Sequence, residues 1–179
     1  MENPKIKKHN NKNLVEKTTF TIPFKVENIE GDFNTQKNSS KKQLEEEILR
    51  KALDLHSKGK TEEASKFYQI LISKGIKNAR VFSNLGVILK QAGKTDQAIQ
   101  LYQKSITLFP NSKEAYCNLG NIYKEQGKLN KAEEITRKAI ELNPSFTEAL
   151  MNLGEILRDL QKSAEGEKYI RKAIKLKPN

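Results

Sequence analysis

The sequence predicts an all-α protein: an α-solenoid of about four helix-turn-helix repeats behind a disordered N-terminal tail. Three observations predict it. The same residues recur every 34 positions from Asn84 onward. Each period holds two helical stripes. The composition changes in kind before residue 44.

Three segments align without a gap: NLGVILKQAGKTDQAIQLYQKSITLFP from Asn84, NLGNIYKEQGKLNKAEEITRKAIELNP from Asn118 and NLGEILRDLQKSAEGEKYIRKAIKLKP from Asn152. Pro110, Pro144 and Pro178 keep the same step, and a weaker copy lies upstream, with Gly59 and Ala64 in register with Gly93 and Ala98. The organisation is therefore a tail over 1–43, a divergent repeat over 44–78, and repeats over 79–112, 113–146 and 147–179.

The tail is rich in Asn, Lys, Ser and Thr, which cannot bury enough apolar surface to offset the entropy of ordering. One stretch in it alternates, Phe20, Ile22, Phe24 and Val26, as an extended peptide would, although Pro23 argues against a central strand. In the first complete repeat, Phe82, Leu85, Gly86 and Leu89 form one helical stripe, and Ala98, Leu101, Tyr102, Ser105 and Ile106 form a second. Gly93 suits a left-handed helix end, Thr95 is placed to cap the next helix, and Pro110 stops it. Small residues recur where the helices cross (Gly86, Gly120, Gly154; Ala98, Ala132, Gly166), and large ones fill the gaps (Leu85, Leu119, Leu153; Ile72, Ile106, Ile140, Ile174). One hairpin cannot cover such a face alone, so neighbours must stack on it.

The chain has 179 residues and a net charge of +11, which favours an acidic partner surface. A single cysteine, Cys117, rules out an intrachain disulfide, and no apolar run reaches the length of a membrane span. The basic start lacks a following apolar stretch, so no signal peptide is expected and the location predicted is cytoplasmic. The string Ala92-Gly93-Lys94-Thr95 mimics the end of a phosphate-binding loop, but Ile88 stands where the first glycine is required and no strand precedes it. His9, His56 and Cys117 have no metal-ligand spacing, and Cys117 has no evident base. No cofactor, metal or catalytic residue is expected.

The pattern resembles the tetratricopeptide repeat on Tyr116, Leu119-Gly120, Tyr123, Ala132 and Pro144, and the resemblance covers roughly residues 45 to 179. Departures are local. Thr136 replaces an aromatic, Gln161 the turn glycine and Gly166 the alanine, while the first copy has Lys51 for Leu and Ile76 for Pro, as an atypical terminal repeat would. The resemblance implies a right-handed superhelix whose first helices line a concave groove.

On that reading the columns of the first helices become candidate sites. Asn84, Asn118 and Asn152 (Arg50 in the first copy) resemble the asparagine ladder of the O-linked N-acetylglucosamine transferases. An Asn amide grips a peptide unit through both its donor and its acceptor. Lys90, Lys124 and Arg158, with His56 upstream, run beside it as a basic line, and Arg80 and Asn121 complete the candidate peptide-binding set. Leu49, Ser83, Cys117 and Met151 form a third column. The related modules that clamp a chaperone's terminal carboxylate are matched poorly. Leu49 and Leu53 stand where Lys and Asn are expected and Glu114 where Lys is, and only Asn84 agrees.

The function expected is a non-catalytic protein–protein interaction scaffold holding an extended, partly acidic peptide in the concave groove. The alternative is a substrate-recruiting module of a larger or associated glycosyltransferase or sulfotransferase. Nucleic-acid binding ranks last, because the charges are scattered and no stacking aromatics interleave with them. The final copy reaches Asn179 without a polar capping helix, which is read as self-association through that end, a partner that covers it, or a chain cut from a longer protein.

Overall fold

The computed structural model describes residues 41–177. The alternating stretch Phe20–Val26 lies outside the described residues. Among them are eight helices and no strand: α1 (Lys41–Ser57), α2 (Thr61–Ser73), α3 (Ala79–Gln91), α4 (Thr95–Leu108), α5 (Lys113–Glu125), α6 (Leu129–Leu142), α7 (Thr147–Asp159) and α8 (Ser163–Leu176). They form four hairpins that stack in chain order, each helix packing on the one before and the one after. The eight helices make four helix-turn-helix pairs, the fold that the spacing predicts. The first helix begins at Lys41, three residues ahead of the expected boundary.

Within each hairpin the first helix ends in the same closure. Gly93 takes φ 75°, and the Lys94 N–H reaches back to the Leu89 carbonyl, as the Lys128 N–H does to Tyr123. This satisfies helix-end carbonyls and turns the chain. In the last repeat Gln161 adopts the same left-handed conformation (φ 62°) without a glycine's freedom, and Lys162 still bonds to Leu157. Thr95 does not cap α4. It is the first helical residue, and the N-cap is Lys94, which offers no side-chain acceptor. Asn78 does cap α3, accepting from the Arg80 N–H at 3.0 Å.

Small residues mark the crossings, as expected. A Cβ on Gly86 would stand 2.5 Å from the Tyr102 ring. In the last hairpin, glycine faces glycine: a Cβ on Gly166 would stand 2.6 Å from the Gly154 carbonyl oxygen, closer than real Cβ atoms come. Hence Gly166, where the other repeats carry alanine.

The first helices bury one row in common. Val81, Leu85 and Ile88 on α3, Ala115, Leu119 and Ile122 on α5, and Ala149, Leu153 and Ile156 on α7 are all buried. The same row on α1 reads Glu47, Lys51 and Asp54, all exposed. α1 has no described repeat before it, so this row is the surface that each first helix presses on the preceding repeat. The divergent first repeat is therefore a polar cap, and the charged residues in it explain its weak match to the period.

Candidate functional site

The first helices touch one another across the stack, α3 with α5 and α5 with α7. The first helices thus crowd together on the inner side of a curved array, and their free faces line the groove. Side chains that bridge successive first helices identify that face directly. Lys90 on α3 reaches Glu125 on α5 at 2.6 Å, and Lys124 on α5 pairs with Glu155 on α7.

The asparagine column lies on this side, half-buried in all three repeats. Its members are not equivalent. Asn84 donates through Nδ2 to the Tyr68 hydroxyl at 2.9 Å, and that oxygen also lies 3.3 Å from His56 Nδ1. Asn152 donates to Cys117 Sγ at 3.4 Å. Asn118 makes no side-chain hydrogen bond among the described residues. An amide has two N–H donors and an acceptor oxygen, so Asn84 and Asn152 each keep one donor and the carbonyl for a ligand while the other donor fixes the rotamer.

The basic line is mostly neutralised. Glu125 takes the Lys90 ammonium and also accepts from Asn121 at 3.1 Å, and Glu155 takes Lys124. Arg158 is exposed and meets no carboxylate within ion-pair distance among the described residues. Arg80, at the start of α3, is exposed. In sequence the lysines form a column of free charge. In space the next repeat supplies the counter-ions one helix along, a contact between residues 35 or 31 apart. In the third column Ser83 and Cys117 are buried, and Met151 is 36% exposed.

Cys117 is held chiefly by burial, which pushes its thiol up to about 11, while the Asn152 hydrogen bond pulls the other way. At neutral pH it is a protonated thiol and a weak acceptor. Burial likewise raises the Tyr68 hydroxyl, with the Asn84 hydrogen bond opposing it. Among the described residues no group of three or more His, Cys, Asp or Glu side chains is placed to hold a metal ion, and no helix is long and apolar enough to cross a membrane.

The spacing did not reveal a second polar cluster, on the second helices. Arg137 on α6 bonds to Glu133 at 2.8 Å, to Glu165 on α8 at 2.7 Å and to the Tyr169 hydroxyl at 3.1 Å, while Lys162 closes on Glu133 at 2.9 Å. The hydrogen bond from Lys162 is the main cause that holds the Glu133 carboxyl below its ordinary range. The only sequence signal was Thr136 in an aromatic column: where the ring is lost, the last two hairpins are also tied by charge.

Comparison with known proteins agrees with this geometry. Three family models match: a TPR repeat over residues 87–127, and tetratricopeptide repeats over 114–146 and 147–179. Together they span more than half of the chain. The chain belongs to the tetratricopeptide repeat (TPR) family. Two crystal structures of MamA resemble it at 24% identity, with TM-scores of 0.65 and 0.64, covering 74% of this chain and 77% and 72% of theirs. The crystal structure of TTC0263, a thermophilic TPR protein in Thermus thermophilus, does so at 17% identity and a TM-score of 0.65, covering 74% of each chain. At these identities the likeness is one of fold. No curated protein matches the chain. As a TPR array, the protein is a right-handed superhelix and a protein–protein interaction scaffold.

Proposed function

We propose that the chain is a non-catalytic scaffold that holds an extended, partly acidic peptide along its inner face. The observation that carries this reading is the asparagine column. Three amides stand on successive first helices, each with a free acceptor and at least one free donor, and two of them are oriented by a bond to the preceding repeat. First helices recur roughly every 8–10 Å, and an extended peptide advances about 3.3 Å per residue, so the amides fall at about every third residue of the ligand. Such contacts read backbone. Selectivity for acidic groups centres on the repeat 79–112, where Arg80 is free of the ion pairs that engage Lys90 and Lys124. Arg158 gives a second positive position at the far end of the column.

The test replaces Asn84, Asn118 and Asn152 together with alanine and measures capture of binding partners from the source cell. Loss of capture with helicity retained is expected. Undiminished capture by the folded triple variant sinks the groove reading. Arg80→Ala is expected to weaken binding less, and mostly at low ionic strength, because an exposed cation acts through a field that salt screens.

A further inference from the structure

The middle junction of the stack leaves open hydrogen-bonding groups that the first junction satisfies. In the first, the Tyr68 hydroxyl beneath the asparagine column is engaged twice. It accepts from Asn84 at 2.9 Å and lies 3.3 Å from His56 Nδ1. The 34-residue period carries the same three positions to Tyr102, Asn118 and Lys90. There Lys90 is held by Glu125, and neither the Tyr102 hydroxyl nor the Asn118 amide makes a hydrogen bond among the described residues. Tyr102 is 1% exposed. Burial pushes its hydroxyl's pKa up, and Cys117, next to Asn118 in the chain, adds to this, which fits a ring end lying beside α5. The Ser83 hydroxyl stands to Asn118 as Cys117 does to Asn152, by the same 35-residue step, and it too is buried without a partner. At the third junction Thr136 replaces the tyrosine and Asn152 is bonded to Cys117.

A buried polar group costs free energy while it lacks a partner, so a cluster of them under a groove points to a partner that arrives from outside. We propose that Tyr102 and Asn118 form a subsite in the middle of the groove for a carboxamide side chain, Gln or Asn, of the bound peptide. This rests on the reading of the inner face as a peptide groove. Asn118 keeps both N–H donors where Asn84 and Asn152 keep one, so a donor is left for a ligand side chain after the backbone contact. The carboxamide oxygen accepts from that N–H, and its NH2 donates to the Tyr102 oxygen. A leucine in the same place would cover both groups and leave them unpaired. A carboxylate would lose its water with no free cation beside it, because Glu125 holds Lys90.

The probes are short fluorescein-labelled peptides of Asp and Ala whose central residue is Gln, Leu or Glu, titrated against the full chain by anisotropy. The Gln peptide is expected to bind at least about tenfold more tightly than the other two. Tyr102→Phe keeps the ring and removes only the hydroxyl. It is expected to abolish the preference for Gln and to leave the thermal melt unchanged. Tyr68→Phe is the contrast. It is expected to lower the melt, since Asn84 and His56 lose a partner, and to keep the preference. A parent chain without the preference, or a Tyr102→Phe variant that retains it, overturns the subsite. A lowered melt for Tyr102→Phe also overturns it, assigning the hydroxyl to a bond within the protein. The variant Asn84→Ala with Asn152→Ala leaves the subsite whole and reports on the groove, and it is expected to weaken all three peptides alike. That weakening without a preference for Gln sinks the subsite and spares the groove reading, whereas failure of every peptide to bind sinks both.

Discussion

The two ends of the stack present the two sides of one repeating junction, and their chemistry is opposite. Upstream, the row that α3, α5 and α7 bury is carried on α1 by Glu47, Lys51 and Asp54. Lys51 lays its ammonium 5.1 Å from the Phe67 ring centroid, and Asp54 pairs with Lys58. Downstream, the column that Ile72, Ile106 and Ile140 fill under a neighbouring repeat ends in an open Ile174. Stacking thus has a direction built into it. The upstream row carries charge that a junction could not bury cheaply, and the downstream column retains the apolar surface that each junction uses.

The largest effects come from exchanging the two chemistries. Leu85→Lys places the charge of Lys51 at a buried junction and is expected to destabilise the fold by more than about 4 kcal/mol, measured by urea denaturation. The reverse set, Glu47→Ala with Lys51→Leu and Asp54→Ile, is expected to fold and then to associate head to tail with rising concentration, and adding Ile174→Glu is expected to suppress that association. A monodisperse triple variant would break the directional account.

Next is the isoleucine column. Ile140→Ala is expected to cost about 2 kcal/mol, and Ile174→Ala less than about 0.5, because only the covered side chain leaves a cavity. Equal losses in thermal melts would mean that Ile174 is covered in solution.

Glu133 tests the polar tie between the last two hairpins. Its carboxyl is held below the ordinary glutamate range, so its contribution is present above the unfolded value and is lost as pH falls through the lowered folded one. Glu133→Gln is expected to destabilise by about 1 kcal/mol near neutrality. The gap to the parent should close as both are melted at progressively lower pH below about 4.

The smallest effect is at the turn of the last hairpin. Gln161→Gly is expected to raise stability by about 0.5–1 kcal/mol by relieving a left-handed side-chain conformation, against the flexibility glycine adds to the unfolded chain. The same change in the other direction, Gly93→Gln, should lower it by a similar amount, and differential melting compares the two.

Much of this was legible in the sequence, for a specific reason. A repeat array is governed by contacts between neighbours of fixed spacing, so a 34-residue period writes its packing into columns. The small residue Gly86 at the crossing, the turn at Gly93 and the atypical first repeat were all readable there, but that Gly86 makes room for the Tyr102 ring was not. The Thr95 cap was not, because a hydroxyl's preference for N-caps does not fix the residue at which the helix starts. The candidate site was half legible. The asparagine column was visible, but its unequal bonding was not. Tyr68, which bonds Asn84, is replaced in the third junction by Thr136, and there Asn152 turns to Cys117.

The sequence by itself determined the number, length and order of the hairpins, because period, stripe and breaker are local signals along one chain. It also determined the columns from which the inner face is built. Only the tertiary structure decided which charges remain free. Whether Lys90 faces a ligand or Glu125 depends on the angle at which one first helix lies beside the next. That angle is a property of packed volume across the junction, and no column of residue types encodes it.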